Sequence, residues 1–188
     1  DRLADAPTEI IRATASNYWA QGIDGLYLAY WHSLWPFTAS FYEKLRELPN
    51  PDIMAPKDKH YHVLTQTGRY KDPTAEPGVT RQLPIDLGKG VPKQVQIFIT
   101  DDLPRWDQVG RLHGVILRMR VVNATELDRY KFKLNDKDLP DRLLRVIDTS
   151  YGKGTPRYRT KGYWFIFKLD KEHHPVHETN ILEATLTE

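Results

Sequence analysis

The hydrophobic period of this chain changes near residue 55, and one kind of secondary structure cannot serve both parts. Up to Leu48 apolar residues recur at helical spacing, whereas from about His60 they alternate with a period of 2. In the first part Asp5 is the expected N-cap of a helix. Pro7 and Glu9 follow in its first turn, where a fixed φ and a negative charge are both favoured. Ile11, Ala15, Tyr18 and Gly22 form its stripe, and Gly22 is a natural stop. Residues 25–31 are a continuous apolar run, the pattern of a strand buried on both faces. A second helix is expected over 38–48, with Phe41, Tyr42, Leu45 and Leu48 on its apolar face and Pro49 and Pro51 ending it.

Short strands are expected at 60–64, 79–85, 95–99, 115–121, 130–134, 144–146, 163–169 and 182–186, with Pro84 placing the second near an edge. Asn135-Asp136 and Gly152-Lys153-Gly154 are turn chemistry rather than phosphate loops. About eight such strands predict a mainly β chain: an antiparallel β-sandwich, jelly-roll or galactose-binding-like. The expected division is 1–55, a helix–strand–helix segment, and 56–188, the sandwich. A strand buried on both sides needs parallel neighbours, and this chain has no other of that type. Helix–strand–helix is the last unit of a (β/α)8 barrel, so 1–55 is expected to be a barrel remnant.

Composition narrows the function. The 27 Lys and Arg against 25 Asp and Glu leave a net charge of +2, too little for a basic field toward nucleic acid or an anionic membrane. With no Cys, disulfides, thiolate metal sites and cysteine nucleophiles are excluded. No apolar run reaches transmembrane length and no signal peptide is visible, and the compartment stays open. The chain begins at Asp1 and its methionines are Met54 and Met119, so it reads as a piece of a longer product.

Several segments carry a resemblance. Asn17-Tyr18-Trp19-Ala20-Gln21-Gly22-Ile23-Asp24-Gly25-Leu26-Tyr27-Leu28, followed by Tyr30-Trp31, resembles the end of the barrel in uncharacterised glycoside-hydrolase-like proteins of bacteria. Met54-Ala55-Pro56-Lys57-Asp58-Lys59-His60-Tyr61 is similar to the linker that follows in those proteins. Phe132 to Leu139 looks like their "Leu-Asn-Gly" hairpin, with Asp136 where Gly is usual, and Thr179 to Leu186 looks like their closing strand. The resemblance implies the C-terminal part of a larger hydrolase, of a kind that can be exported, whose catalytic carboxylates lie on absent strands. This chain alone is then not an enzyme, and self-association through residues 5–48, or folding back of that segment, would cover the remnant.

Candidate sites follow. Tyr30, Trp31 and Trp35 stand at the mouth of the barrel strand, and Trp106, Tyr158 and Trp164 in the sandwich. Flat aromatic faces suit the C–H faces of sugars, and rim or core packing accounts for the same residues. Asp24 precedes the strand, where a cap or turn role outweighs catalysis. Asp101 and Asp102 are the donor type that calcium takes, and a strand-ending turn explains them equally. No other cofactor or metal is expected: His60 with His62, and the His173-His174-Pro175-Val176-His177 turn, lack a complete ligand set. Three functional readings result: a carbohydrate-binding accessory domain, a purely structural sandwich that braces the barrel, and a self-contained enzyme with an unrecognised site.

Overall fold

The computed structural model describes residues 7–28, 39–63, 82–140, 144–147 and 162–188. It is a mixed chain of helices and antiparallel sheets. The elements are α1 (Thr8–Ala20), α2 (Ala39–Glu47), α3 (Pro51–Met54), β1 (Lys93–Ile99), α4 (Leu103–Gln108), β2 (Val115–Val122), β3 (Tyr130–Leu134), β4 (Lys137–Asp138), β5 (Leu144–Ile147), β6 (Gly162–Leu169) and β7 (Glu178–Leu186). The chain divides into two compact units. The first is Asp1–Leu83, Gln96–Arg111 and Val176–Asn180; the second is Pro84–Val95, Leu112–Pro175 and Ile181–Glu188.

In the first unit α1 begins later than Asp5 would place it, and Asp5 lies outside the described residues. Pro7 occupies the N-cap, where its carbonyl accepts from the N–H groups of Ile10 (3.1 Å) and Ile11 (3.2 Å). Gly22, at φ 80°, ends the helix as expected of a residue free of a Cβ. The helical stripes are turned from those the hydrophobic pattern predicts. Tyr18, Tyr42 and Leu45 are exposed, while Arg12, Lys44 and Glu47 are buried with Ile11, Ala15, Phe41 and Leu48. The cause is an ion cluster. Arg12 Nε donates to Glu47 Oε2 (2.7 Å), its Nη2 to Glu43 Oε1 (3.0 Å), and Lys57 Nζ bonds Glu47 Oε1. A carboxylate that is only 1% exposed is tolerable because two cations meet it. Pro51, rather than merely ending α2, starts α3 from its first turn and delivers Met54 to the apolar cluster of Ile11, Ala15 and Leu48.

The strand expected at 25–31 does not form over residues 25–28; residues 29–31 lie outside the described ones. Tyr27 is 92% exposed, so the run is not buried on both faces, and Leu26 and Leu28 pack on the helical cluster instead of entering a ladder. Residues 60–63 and 82–85, expected in strands, also form none.

The period-2 expectation is met in the burial of β2, β3 and β6, which lie in the second unit. The sheets have the orders β1-β7-β3-β4 and β2-β6-β5, and every pair with a defined register is antiparallel. Phe132 of β3 meets Phe165 and Phe167 of β6 with ring centroids 5.0 and 5.7 Å apart, and Tyr130 meets Phe165 at 5.3 Å. Val115, Leu117, Met119 and Val121 of β2 pack against the same core. Gly162 lets β6 lie against β2, since a Cβ there would stand 2.5 Å from the Val121 carbonyl oxygen. Asn135 (φ 49°) and Asp136 (φ 65°) form the two-residue turn between β3 and β4, with the double positive φ of a type I′ hairpin.

Two outcomes are expected. Glu47→Gln removes the buried carboxylate that meets both Arg12 and Lys57, leaving Arg12 only Glu43 as an acidic partner, and lowers stability by about 3 kcal/mol in urea unfolding at neutral pH. Burial alone would raise the Glu47 carboxyl, but hydrogen bonds from Arg12 and Lys57 and their charges hold it below the ordinary range. Its stabilisation is therefore full above the usual glutamate value of about 4.3 and is lost as pH falls through the lower folded value, so the gap between wild type and variant narrows in acid. Asp136→Gly relieves a left-handed residue that costs about 1–2 kcal/mol, partly offset by glycine entropy, and raises the melting temperature by about 2 °C.

Candidate functional site

The burial of Phe165 and Phe167 in the core fixes the other side of β6. Successive strand residues point to opposite faces, so Trp164, Ile166 and Lys168 stand on the outward face. The register sets Arg120 opposite Trp164, Arg118 opposite Ile166 and Ile116 opposite Lys168. Ile116, Arg118, Arg120, Val122 and Lys168 are exposed and Trp164 is half-buried. The outward positions of these two strands thus carry an indole, aliphatic side chains and three cationic residues. Trp164 was expected as a site residue; Arg118, Arg120 and Lys168 were not. Their signal was the alternation Leu117-Arg118-Met119-Arg120-Val121, in which every second residue is cationic.

Trp106 belongs to the first unit, on α4, where the Arg105 guanidinium lies 5.2 Å from its ring centroid. Tyr30, Trp31, Trp35 and Tyr158 lie outside the described residues.

Asp101 and Asp102 do not share a ligand. Asp102 caps α4, its Oδ1 accepting from Arg105 N–H at 3.1 Å. Asp101 already holds a cation: its Oδ1 accepts from the Lys59 ammonium (2.7 Å), which also donates to the carbonyls of Ala55 (2.9 Å) and Lys57 (3.2 Å). The Lys59 side chain is 1% exposed, and three oxygens accept from its buried ammonium. Beside it the Tyr61 hydroxyl lies 3.0 Å from Thr100 Oγ1, and Thr100 donates to Asn17 Oδ1 at 3.3 Å. Thr100 has one hydrogen to give, so Tyr61 donates to it. Burial and the Asp101 charge push the phenol well above its usual range, which keeps it protonated in that role.

Asp24 is exposed, on the rim of an open cavity of about 430 Å³ lined by Trp19, Leu26, Leu28, Leu45 and Leu48. Trp19 is fixed there by an indole N–H bond to the Leu48 carbonyl (2.9 Å). One carboxylate does not make the pair that glycosidic hydrolysis uses. His60 and His62 are exposed and not on a strand, while His173 Nδ1 lies 2.6 Å from Asp170 Oδ1 and its Nε2 3.1 Å from the Asp138 carbonyl. Among the described residues no three His, Cys, Asp or Glu are grouped to hold a metal, and no helix is long and apolar enough to cross a membrane. Comparison with protein-family models, curated proteins and solved structures finds no match to any of them.

Asp101→Asn strands the Lys59 ammonium and is expected to cost about 3 kcal/mol, most of which Lys59→Met recovers when combined with it. Denaturant midpoints of the wild type, both single variants and the double variant measure this.

Proposed function

We propose that this chain is a carbohydrate-associated accessory module, not catalytic alone, which contacts sugar through the outward face of β2 and β6. The observation that carries the reading is Trp164, held half-buried on the outward side of a strand whose alternate residues are locked in the core. A planar ring in this setting offers an apolar surface to sugar C–H groups without having to be ordered first, and nearby cations supply hydrogen-bond donors to hydroxyls. In this reading the two sheets, joined through Phe132, Phe165 and Phe167, form a β-sandwich. The resemblance of residues 17–31 and 54–61 supports reading the module as the C-terminal part of a glycoside-hydrolase-like protein, whose earlier strands would supply the two carboxylates.

A second reading has a specific observation in its favour. Trp106 and Trp164 fall in separate compact units, and a domain that only braces a neighbour has no need to gather its aromatics.

Titration with neutral and acidic oligosaccharides, followed by tryptophan fluorescence, separates the two. Binding is expected to quench the emission, Trp164→Ala to weaken it about tenfold or more, and Trp106→Ala to leave it unchanged. A flat response across a broad glycan array establishes the bracing role instead.

A further inference from the structure

We infer that the carboxamides of Gln82 and Asn17 guard the outer side of β1 and keep residues 93–99 from pairing with the same strand of a second copy. Among the described residues β1 stands at the end of the order β1-β7-β3-β4, with a strand on one side only. Alternate residues of a strand turn their N–H and C=O groups to the same side. At Gln96 that side is met by Gln82. The Gln96 N–H donates to Gln82 Oε1 (2.5 Å), and Gln82 Nε2 donates to the Gln96 carbonyl (2.8 Å). A backbone N–H only donates and a carbonyl only accepts, which fixes how the Gln82 amide is turned.

One side chain thus supplies the donor and the acceptor that a residue of a neighbouring strand would supply. Two positions on, the Phe98 carbonyl accepts from Asn17 Nδ2 (3.1 Å), and Asn17 Oδ1 is held in turn by the Thr100 hydroxyl (3.3 Å). Asn17 belongs to α1 and Gln82 to no strand, so neither continues the sheet.

The strand they cover is one that needs covering. Lys93-Gln94-Val95-Gln96-Ile97-Phe98-Ile99 holds three β-branched residues and an aromatic ring, with no Pro or Gly. Its one charge is Lys93, at the first position, so charge does not protect the rest. A seven-residue segment of this kind stacks into repeating sheets when its edge is open. The occupant excluded is a second β1. Antiparallel pairing centred on Gln96 would set it opposite its own copy and give each the two bonds that Gln82 now makes.

The test uses the whole chain. In the wild type, hydrogen exchange read by NMR is expected to show the Gln96 amide protected about tenfold or more, and an unprotected amide overturns the inference without any variant. Gln82→Ala is expected to keep the wild-type circular dichroism spectrum. It is expected to associate at an about tenfold lower protein concentration in light scattering, with a gain in thioflavin T emission. Adding Gln96→Lys sets like charges opposite one another in the paired state and is expected to restore the wild-type threshold. Gln94→Ala removes an exposed amide that bonds Glu183 instead of the edge, and is expected to change nothing. The inference is overturned if Gln82→Ala associates no more than the wild type, associates without thioflavin T emission, or is matched by Gln94→Ala. Loss of the circular dichroism spectrum in Gln82→Ala overturns it too, by making Gln82 a residue that the fold needs.

Discussion

The contact of Phe132 with Phe165 and Phe167 governs the second unit, because a strand has only two faces and the core has claimed one of them. Once those rings are buried, Trp164, Ile166 and Lys168 have no alternative to the outward side. The ladder with β2 then carries the decision to Arg118 and Arg120. A slip of one residue in β6 would bury Trp164 and expose phenylalanine, and one in β2 would bury an arginine and expose leucine or methionine. The candidate surface is thus a by-product of the core, and its rigidity comes from there.

The first unit is organised by a different force. Helices α1 and α2 meet through Arg12, Glu43 and Glu47, with Lys57 arriving from beyond α3. Hydrogen bonds from Arg12 and Lys57 to Glu47 compensate the cost of burying that carboxylate, and the same bonds fix how the helices are rotated. Lys59 and Asp101 repeat the pattern nearby, with the end of α3 supplying the remaining acceptors.

This difference explains which parts of the structure could be read from the residues. Strand alternation in β2, β3 and β6 survives because hydrophobic burial decides it, and Asn135-Asp136 announces its turn. The helical faces were misread because hydrophobicity assigns Glu47 and Arg12 to solvent, and no local pattern reveals that they are each other's partners, 35 residues apart. The run at 25–28 looked like a strand because it is apolar, but a strand also needs a neighbour, which is not a local property. Helix α4 had a legible signal that went unused: Asp102 as N-cap with Pro104 in the first turn. At the candidate site the tryptophan was legible as a residue type. The cations around it became meaningful only through the β2–β6 register.

The position of β2 gives those cations a second consequence. Among the described residues it stands at the end of the order β2-β6-β5, and an end strand presents backbone groups to any other strand of similar shape. If two copies joined along this edge about a two-fold axis, residues on the same face would have to lie opposite one another. In the centred registers, that sets arginine against arginine. Like charges set opposite one another disfavour such a pairing, so a substitution of Arg118 made to alter recognition would also change how readily this edge accepts a second copy.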